Sequence, residues 1–204
     1  SHIDYDNVAE DVVAIKPIIS LWNEAVGIYK INNFIIQANT PTERVLEYLK
    51  LAGRNNTTYF SFFRTSYLKE IYNLLKHHPT KGGYLDWAIT ITFIASGKII
   101  LDNSKLLIYK NTNWYGDSKF IDAQVQELFA KSKLQNNSHR FERLYRALDC
   151  YILLMRENSN LNYKEKLNVA VFLLEINIRL FKEYYENSNE NFSSEEIVTI
   201  KKLF

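Results

Sequence analysis

The apolar segment at residues 86–95 (DWAITITFIA) most constrains how this chain can fold. Seven of its ten side chains are apolar and the others are one aspartate and two threonines, so it has no polar face to leave in water, and other elements must pack around it. Gly82-Gly83 precedes it and Gly97 follows it, and glycines in these positions are typical of loops and breaks. We expect a buried helix. The alternative is a strand, since isoleucine and threonine favour β-structure.

Composition narrows the class of protein. The chain has 204 residues, 47% of them hydrophobic, which is ample for a packed core. Its formal charge of +2 lacks the basic bias of a dedicated nucleic-acid-binding domain, so no nucleic-acid partner is expected. The single cysteine, Cys150, excludes an internal disulfide and is interpreted as a buried structural thiol. With no secretory signal in residues 1–11 and no apolar run of membrane-spanning length, a cytoplasmic location is expected.

The last third of the chain predicts a series of helices. Asparagine- and serine-rich breaks separate the apolar periodic segments, and the short connections favour antiparallel neighbours. Asn162 with Glu165, and Ser193 with Glu196, have the spacing of capping boxes. The expected helices cover residues 120–133, 141–156, 163–186 and 193–204.

The N-terminal third also shows helical periodicity. Apolar residues recur every three or four positions over residues 8–29, which predicts a helix that Pro17 should kink. Residues 33–38 (NFIIQA) form a short strand candidate. Thr40 and Glu43 flank Pro41 as a capping box that starts a second helix.

Shorter elements are expected in the middle. Residues 57–63 are aromatic and read as a strand, and a helix capped by Thr65 should follow over residues 67–78. After the central segment, residues 98–101 and 106–109 predict a hairpin around the turn at 102–104. We therefore expect a mostly helical α+β fold, in which a small central sheet is followed by a C-terminal antiparallel helical layer.

This pattern divides the chain at residue 116. Residues 1–116 should hold the sheet and the candidate site, and residues 117–204 should form a helical region packed on it as one compact unit. Helix should exceed half of the residues, against a usual proportion of roughly one third.

Several common site chemistries are absent from the sequence. One cysteine and four scattered histidines offer no zinc-ligand spacing, and there is no glycine-rich phosphate loop or nucleophile elbow. Arg143 and Arg146 lie one helical turn apart in a basic stretch. That stretch could contact a phosphate or make a peripheral contact with anionic lipid; the alternative is a solvated, ion-paired helix face.

The pair Asp86-Trp87 is the strongest candidate for chemistry. A carboxylate in the first turn of a buried helix is pulled two ways, because desolvation raises its pKa and the helix N-terminus lowers it. Such a group can act as a general base toward a hydroxyl. The alternative is that Asp86 only caps its helix.

Four segments carry a resemblance to a known family. They are residues 59–65 (YFSFFRT), 83–87 (GYLDW), 94–99 (IASGKI) and 106–109 (LLIY). In this order they resemble the acceptor-side, C-terminal half of bacterial GT-A-type nucleotide-sugar glycosyltransferases, in which an aromatic strand ends in arginine and an acidic residue opens the next helix. "Gly-Lys" then closes that helix, and a strand carrying tyrosine follows.

The resemblance implies a role for individual residues. Asp86 matches the base that activates the acceptor hydroxyl in an inverting transfer from a nucleotide sugar. Trp87 matches the aromatic residue that lines the acceptor pocket, and Arg64 matches the cation at the strand end. Tyr59 in the aromatic strand and Trp114 in the aromatic turn complete the expected substrate contacts, and the partner implied is a sugar or glycan acceptor.

The resemblance covers about residues 31–116 and omits the family's N-terminal nucleotide-binding half. Asp4-Tyr5-Asp6 has the form of an Asp-x-Asp clamp for Mn²⁺ or Mg²⁺ with a nucleotide sugar, although acidic residues before a helix also complement its dipole. We interpret the chain as an acceptor half, or as a relative that has lost donor binding, and expect it to bind nucleotide sugars poorly.

A non-catalytic helical protein–protein interaction module is the alternative. The two functions make different predictions for the structure. An acceptor site requires Asp86, Trp87, Arg64 and Trp114 to converge on one open cleft. An interaction module allows them to scatter.

Overall fold

The computed structural model is a mostly helical α+β fold, as predicted, and 56% of it is helical. It describes residues 7–53, 55–74, 77–78, 85–111, 114–116, 118–135, 137–157, 159–188 and 191–204. The strands are β1 (Val12–Asn23), β2 (Gly27–Asn32), β3 (Phe62–Phe63) and β4 (Lys98–Lys110). The helices are α1 (Pro41–Ala52), α2 (Thr65–Leu74), α3 (Asp86–Ser96), α4 (Ser118–Lys131), α5 (Glu142–Leu154), α6 (Tyr163–Asn187) and α7 (Ser194–Lys201). Short 3-10 turns cover Thr57–Phe60 and Ser138–Phe141.

The helix predicted over residues 8–29 is wrong, because this segment forms β1 and β2. β1 is buried on both faces, so its apolar residues do not alternate with polar ones, and a continuous run fits a helical period as well as a strand. The tight turn to β2 uses Gly27 at a positive φ of 72°. In that turn the Asn23 side chain accepts a hydrogen bond from the Ala25 amide at 2.9 Å.

β1 organises a mixed four-stranded sheet. β4 runs parallel to it along nearly its whole length, while β2 and β3 pair antiparallel with its other edge. The predicted hairpin around residues 102–104 is wrong, because β4 passes through this stretch as one strand with a bulge opposite Pro17 and Ile18. The Asp102 carboxylate accepts hydrogen bonds from the Ser104 amide and hydroxyl, which makes the local turn that suggested a hairpin.

Two other strand predictions hold only in small part. The candidate at residues 33–38 contributes a single bridge between Ile36 and Ile99. The aromatic stretch at 57–63 is a 3-10 turn followed by the two-residue strand β3. In both stretches the aromatic side chains pack against the core, and that packing, rather than a long strand ladder, accounts for their composition.

α3 is the buried centre of the fold, as the apolar segment predicted. Ten of its eleven residues are buried. The threonines that suggested a strand are satisfied within the helix, since Thr90 Oγ1 donates to the Asp86 carbonyl at 2.8 Å and Thr92 Oγ1 to the Ala88 carbonyl at 2.9 Å. Gly97 ends α3 where a Cβ would lie 2.4 Å from the Asp11 carbonyl oxygen, so any side chain would force the backbone apart.

The predicted C-terminal helices are present, and α5 packs against both α3 and α6. The capping boxes at Thr40 with Glu43, Asn162 with Glu165, and Ser193 with Glu196 are all formed. Cys150 is buried in α5, as expected, and burial raises the pKa of its thiol to about 12. Among the helices that the structure describes, none is long and apolar enough to span a bilayer.

Lys16 in the middle of β1 is fully buried beneath the sheet. Its ammonium lies 3.6 Å from the centre of the Phe34 ring and donates to the Asn32 carbonyl oxygen at 3.2 Å. Burial, with the charge of Lys30 second, lowers the pKa of Lys16 from 10.5 to about 7. The unfolded chain therefore binds a proton here that the folded chain has released between about pH 7 and pH 10, and stability should rise with pH across this window.

We expect Lys16→Met to raise the unfolding free energy at pH 7 by about 2 kcal/mol and to remove most of the rise between pH 7 and pH 9. Urea unfolding at several pH values measures both effects. Lys105→Met, at an exposed position of β4, is the matched control and should leave the pH dependence in place. A Lys16→Met variant that kept the wild-type slope would show that this ammonium stays charged in the fold.

Candidate functional site

A cleft of about 1250 Å³ opens between the first region of the chain, which ends at residue 116, and the C-terminal helices that follow it. One wall comes from the sheet, α1, α3 and the loops around them, and the other comes from α4, α5 and α6. Most of the aromatic side chains in the cleft lie on the wall that contains the sheet, α1 and α3. The aromatic side chains that line the cleft are Tyr29, Tyr59, Phe60, Tyr72, Trp87, Tyr109, Trp114, Tyr115 and Tyr184.

Four of the five predicted site residues line this cleft: Asp86, Trp87, Tyr59 and Trp114. Arg64 is not among its lining residues. Its guanidinium donates to the carbonyl oxygens of Val12 at 2.9 Å, Val8 at 3.1 Å and Ala9 at 2.9 Å. Arg64 therefore fastens the chain that enters β1, and its predicted substrate contact is wrong. Three of the four side chains expected to converge, those of Asp86, Trp87 and Trp114, do meet at this cleft.

Asp86 is held by a chain of side-chain hydrogen bonds. Its Oδ2 accepts from Asn56 Nδ2 at 2.9 Å, and Asn56 Oδ1 accepts from the hydroxyl of the fully buried Tyr48. The carboxylate fixes which way the amide points, because an ionised carboxylate only accepts and must face the amide nitrogen, which leaves Asn56 Oδ1 to accept from the phenol. The amide nitrogen is thereby directed at the carboxylate, and Asp86 has one defined orientation toward the cleft.

Burial raises the pKa of Asp86 above its ordinary value of 3.8. The Asn56 hydrogen bond, the Arg146 charge and the Trp87 amide oppose this by favouring the charged form. A carboxylate whose proton affinity is increased by burial is a better base than an exposed one. Asp86 opens α3 at its first position, and the N-cap position itself belongs to Leu85, which makes no side-chain cap.

Tyrosines near Asp86 are hydrogen-bond donors at neutral pH. Burial, followed by a hydrogen bond with Tyr72, raises the pKa of Tyr59 to about 12. Burial and then the negative charge of Asp86 raise the pKa of Tyr109. Neither phenol therefore ionises near pH 7, and both keep their protons at neutral pH.

The arginines at the junction of the two walls are ion-paired. Arg143 and Arg146 share one face of α5, as their spacing predicted, and both contact the Glu142 carboxylate. The Arg146 guanidinium also lies 4.9 Å from the centre of the Trp87 ring. This contact joins α5 to α3 beside Asp86 and gives the cleft a positive group next to its carboxylate.

The fold also contains a histidine–aspartate pair that is closed to solvent. His78 Nδ1 lies 2.9 Å from Asp149 Oδ1, and both side chains are buried. The pair fastens the segment after α2 to α5, a structural role, because no ligand can reach it.

Sequence reasoning missed several residues of the cleft. Asn56 and Tyr48 carried no local signal, since isolated asparagines are common in this chain and Tyr48 sits in an ordinary amphipathic helix. The aliphatic wall on α6 was also missed, although Ile176, Leu180 and Tyr184 follow one another at four-residue steps. That periodicity could have located the stripe, but it could not show what faces it.

The metal prediction finds no support in the described residues. No group of three histidine, cysteine, aspartate or glutamate side chains among them could hold an ion. Asp4 and Asp6, the proposed clamp, lie outside the described residues, as does the Gly82-Gly83 loop. The described residues do not fit a metal site. Comparison with family models, with curated proteins and with solved structures finds no match for this chain.

Proposed function

We propose that the cleft binds the sugar acceptor of a glycosyl transfer and that Asp86 takes the proton from the acceptor hydroxyl. One observation carries the proposal: a carboxylate of fixed orientation and raised pKa lies in a cleft lined with aromatic rings. The resemblance to glycosyltransferases of the GT-A type supports the same role for Asp86.

The lining suits a sugar for chemical reasons. A pyranose presents C–H groups on its ring faces and hydroxyls around its rim. The ring faces of Trp87 and Trp114 are apolar surfaces for the former, and Asn111, Tyr59 and Tyr109 carry donors and acceptors for the latter. Such a cleft combines apolar area with a few placed polar groups, which is the usual composition of a small-molecule site.

The reaction step follows from the placement of Asp86. Its carboxylate accepts the proton of the acceptor O–H as that oxygen attacks the anomeric carbon of a nucleotide sugar. The new C–O bond forms as the bond from that carbon to the nucleotide diphosphate breaks, and the configuration inverts. Asn56 holds one carboxylate oxygen so that the acid does not rotate away, and the half-buried setting limits competition from water.

Titration with methyl β-glycosides of common hexoses tests acceptor binding directly. The chain has three tryptophans, of which Trp87 and Trp114 line the cleft and Trp22 lies on β1 outside it. We expect the indole N–H resonances of Trp87 and Trp114 to move on addition of at least one glycoside, while that of Trp22 stays in place. Movement of all three equally, or of none across the panel, would contradict acceptor binding in this cleft.

A non-catalytic interaction module remains the second candidate because of one feature of α6. Large apolar side chains are exposed along the helix at three- and four-residue steps, on positions that do not line the cleft. They are Tyr163, Leu167, Val171 and Leu174. An exposed apolar stripe of this kind is typical of a protein contact surface, and such a contact is compatible with acceptor binding at the cleft.

A further inference from the structure

We infer that the acceptor is an amphiphile, in which the sugar bound beside Asp86 carries a hydrocarbon chain that lies along α4 and α6. The inference rests on the proposed function and adds the chemical class of the acceptor. Three features of the cleft support it. The two walls differ in chemistry, the wall formed by α4, α5 and α6 is long, and much of that wall is aliphatic and cannot bond to hydroxyls.

The two walls have different chemistry. Eight of the nine cleft aromatics and the Asp86–Asn56 pair belong to the wall formed by the first region of the chain. The aliphatic side chains of that wall are mostly buried, as Leu21, Ile89 and Ile91 are. On the helical wall Leu173 is buried, and the other four aliphatic side chains that line the cleft are half-exposed. They are Ile121 and Leu128 from α4, and Ile176 and Leu180 from α6.

The apolar wall is long. Cleft residues recur along α6 from Leu173 to Tyr184, eleven positions apart, which corresponds to about 16 Å of helix. The cleft volume of about 1250 Å³ also exceeds the usual range of small-ligand pockets, about 300–1000 Å³. A single sugar ring beside Asp86 would leave most of this wall in water.

The helical wall offers few bonds to additional sugar rings. The Asn177 amide is buried and donates to the Leu173 carbonyl at 2.8 Å, and Arg143 and Arg146 are engaged with Glu142. The other polar side chains of this wall are Asp122 on α4 and Tyr184 at the far end of α6. The surface between these polar groups is aliphatic, and hydroxyls of a longer oligosaccharide would lose water along it without replacement partners, which weakens binding. A hydrocarbon chain loses nothing by leaving water and gains about fourfold in affinity for each methylene buried.

Octyl and methyl β-glycosides of the same hexose test the inference in the wild-type protein, at concentrations below micelle formation. We expect the octyl glycoside to bind at least tenfold more tightly than its methyl counterpart. The sugar-free amphiphile octyl tetraoxyethylene ether, which has the same chain, should bind more weakly than the octyl glycoside. Equal affinities for the octyl and methyl glycosides would overturn the inference and leave the proposed function intact.

Two substitutions on the same helix locate the chain. Leu180→Ser should weaken octyl glycoside binding about tenfold and leave methyl glycoside binding unchanged. Leu174→Ser, on the exposed face of α6 away from the cleft, should change neither. Ile176→Ser repeats the test if circular dichroism shows that Leu180→Ser is not folded. Unchanged octyl glycoside binding in a folded cleft variant would overturn the inference.

A sugar-free amphiphile that binds as tightly as the octyl glycoside would overturn both the inference and the proposed function, because the cleft would not recognise sugar.

Discussion

On the proposed function, replacing Asp86 with asparagine should lower the rate of sugar transfer by a factor of about 10²–10⁴, or roughly 3–5 kcal/mol of barrier. Asparagine keeps the shape of the side chain and can still accept the hydrogen bond from Asn56. It cannot accept a proton from a hydroxyl at neutral pH, so only the chemical step should suffer. Acceptor binding should change little.

The same substitution should leave the melting temperature unchanged or raise it. Because burial raises the folded-state pKa of Asp86, the ionised carboxylate lowers stability once the pH passes its unfolded-state pKa, and a neutral amide removes that cost. Glu175→Gln, an exposed substitution on α6, is the control and should affect neither property. Unchanged turnover together with an unchanged melting temperature would remove Asp86 from catalysis. A melting temperature lowered by many degrees would make it a structural partner instead.

Arg44→Met should destabilise the fold by about 3–5 kcal/mol, which corresponds to a fall of roughly 10 °C in melting temperature for a chain of this size. The buried Arg44 guanidinium donates to the carbonyl oxygens of Ile94 at 2.9 Å and Ala95 at 2.6 Å, in the last turn of α3. It also donates to the Ala38 and Asn39 carbonyls at 3.2 Å and 2.8 Å. Methionine would leave the two buried carbonyls of α3 without these donors.

Two further variants control this measurement by thermal and urea unfolding. Arg44→Lys should cost less than Arg44→Met but remain clearly destabilising, because an ammonium cannot reproduce a planar fork of donors. Arg179→Met, at an exposed position on α6, should change stability by less than about 0.5 kcal/mol. If Arg44→Met were as mild as Arg179→Met, the C-terminus of α3 would not depend on this arginine.

The sequence was informative wherever local chemistry determines structure. α1, α6 and α7 begin at capping boxes, and a box satisfies backbone donors with side chains only three residues apart. α3 was predicted because a segment that is apolar on every side must be buried. Asp86 and Trp87 could be placed together because they are adjacent on that helix.

Contacts between distant residues could not be predicted in the same way. β1 owes its strand state to β4, which pairs with it from more than eighty positions along the chain, and local periodicity favoured a helix there. Arg64 ends an aromatic strand as the resemblance requires, yet its side chain binds three carbonyls at the start of β1. The α6 wall of the cleft lies about ninety positions from Asp86. No local pattern reports that they face each other.

The most direct test of Asp86 as the reactive group is a ¹³C titration of its side-chain carboxyl by nuclear magnetic resonance, with and without a saturating glycoside. The structure predicts a midpoint above the ordinary value of 3.8 in the free protein, because burial outweighs the Asn56 hydrogen bond and the Arg146 charge. It also predicts that the midpoint moves when the glycoside binds, because the ligand changes the surroundings of the carboxylate. A midpoint at or below 3.8 that is indifferent to every glycoside would contradict the assignment of Asp86 as the base of an acceptor site.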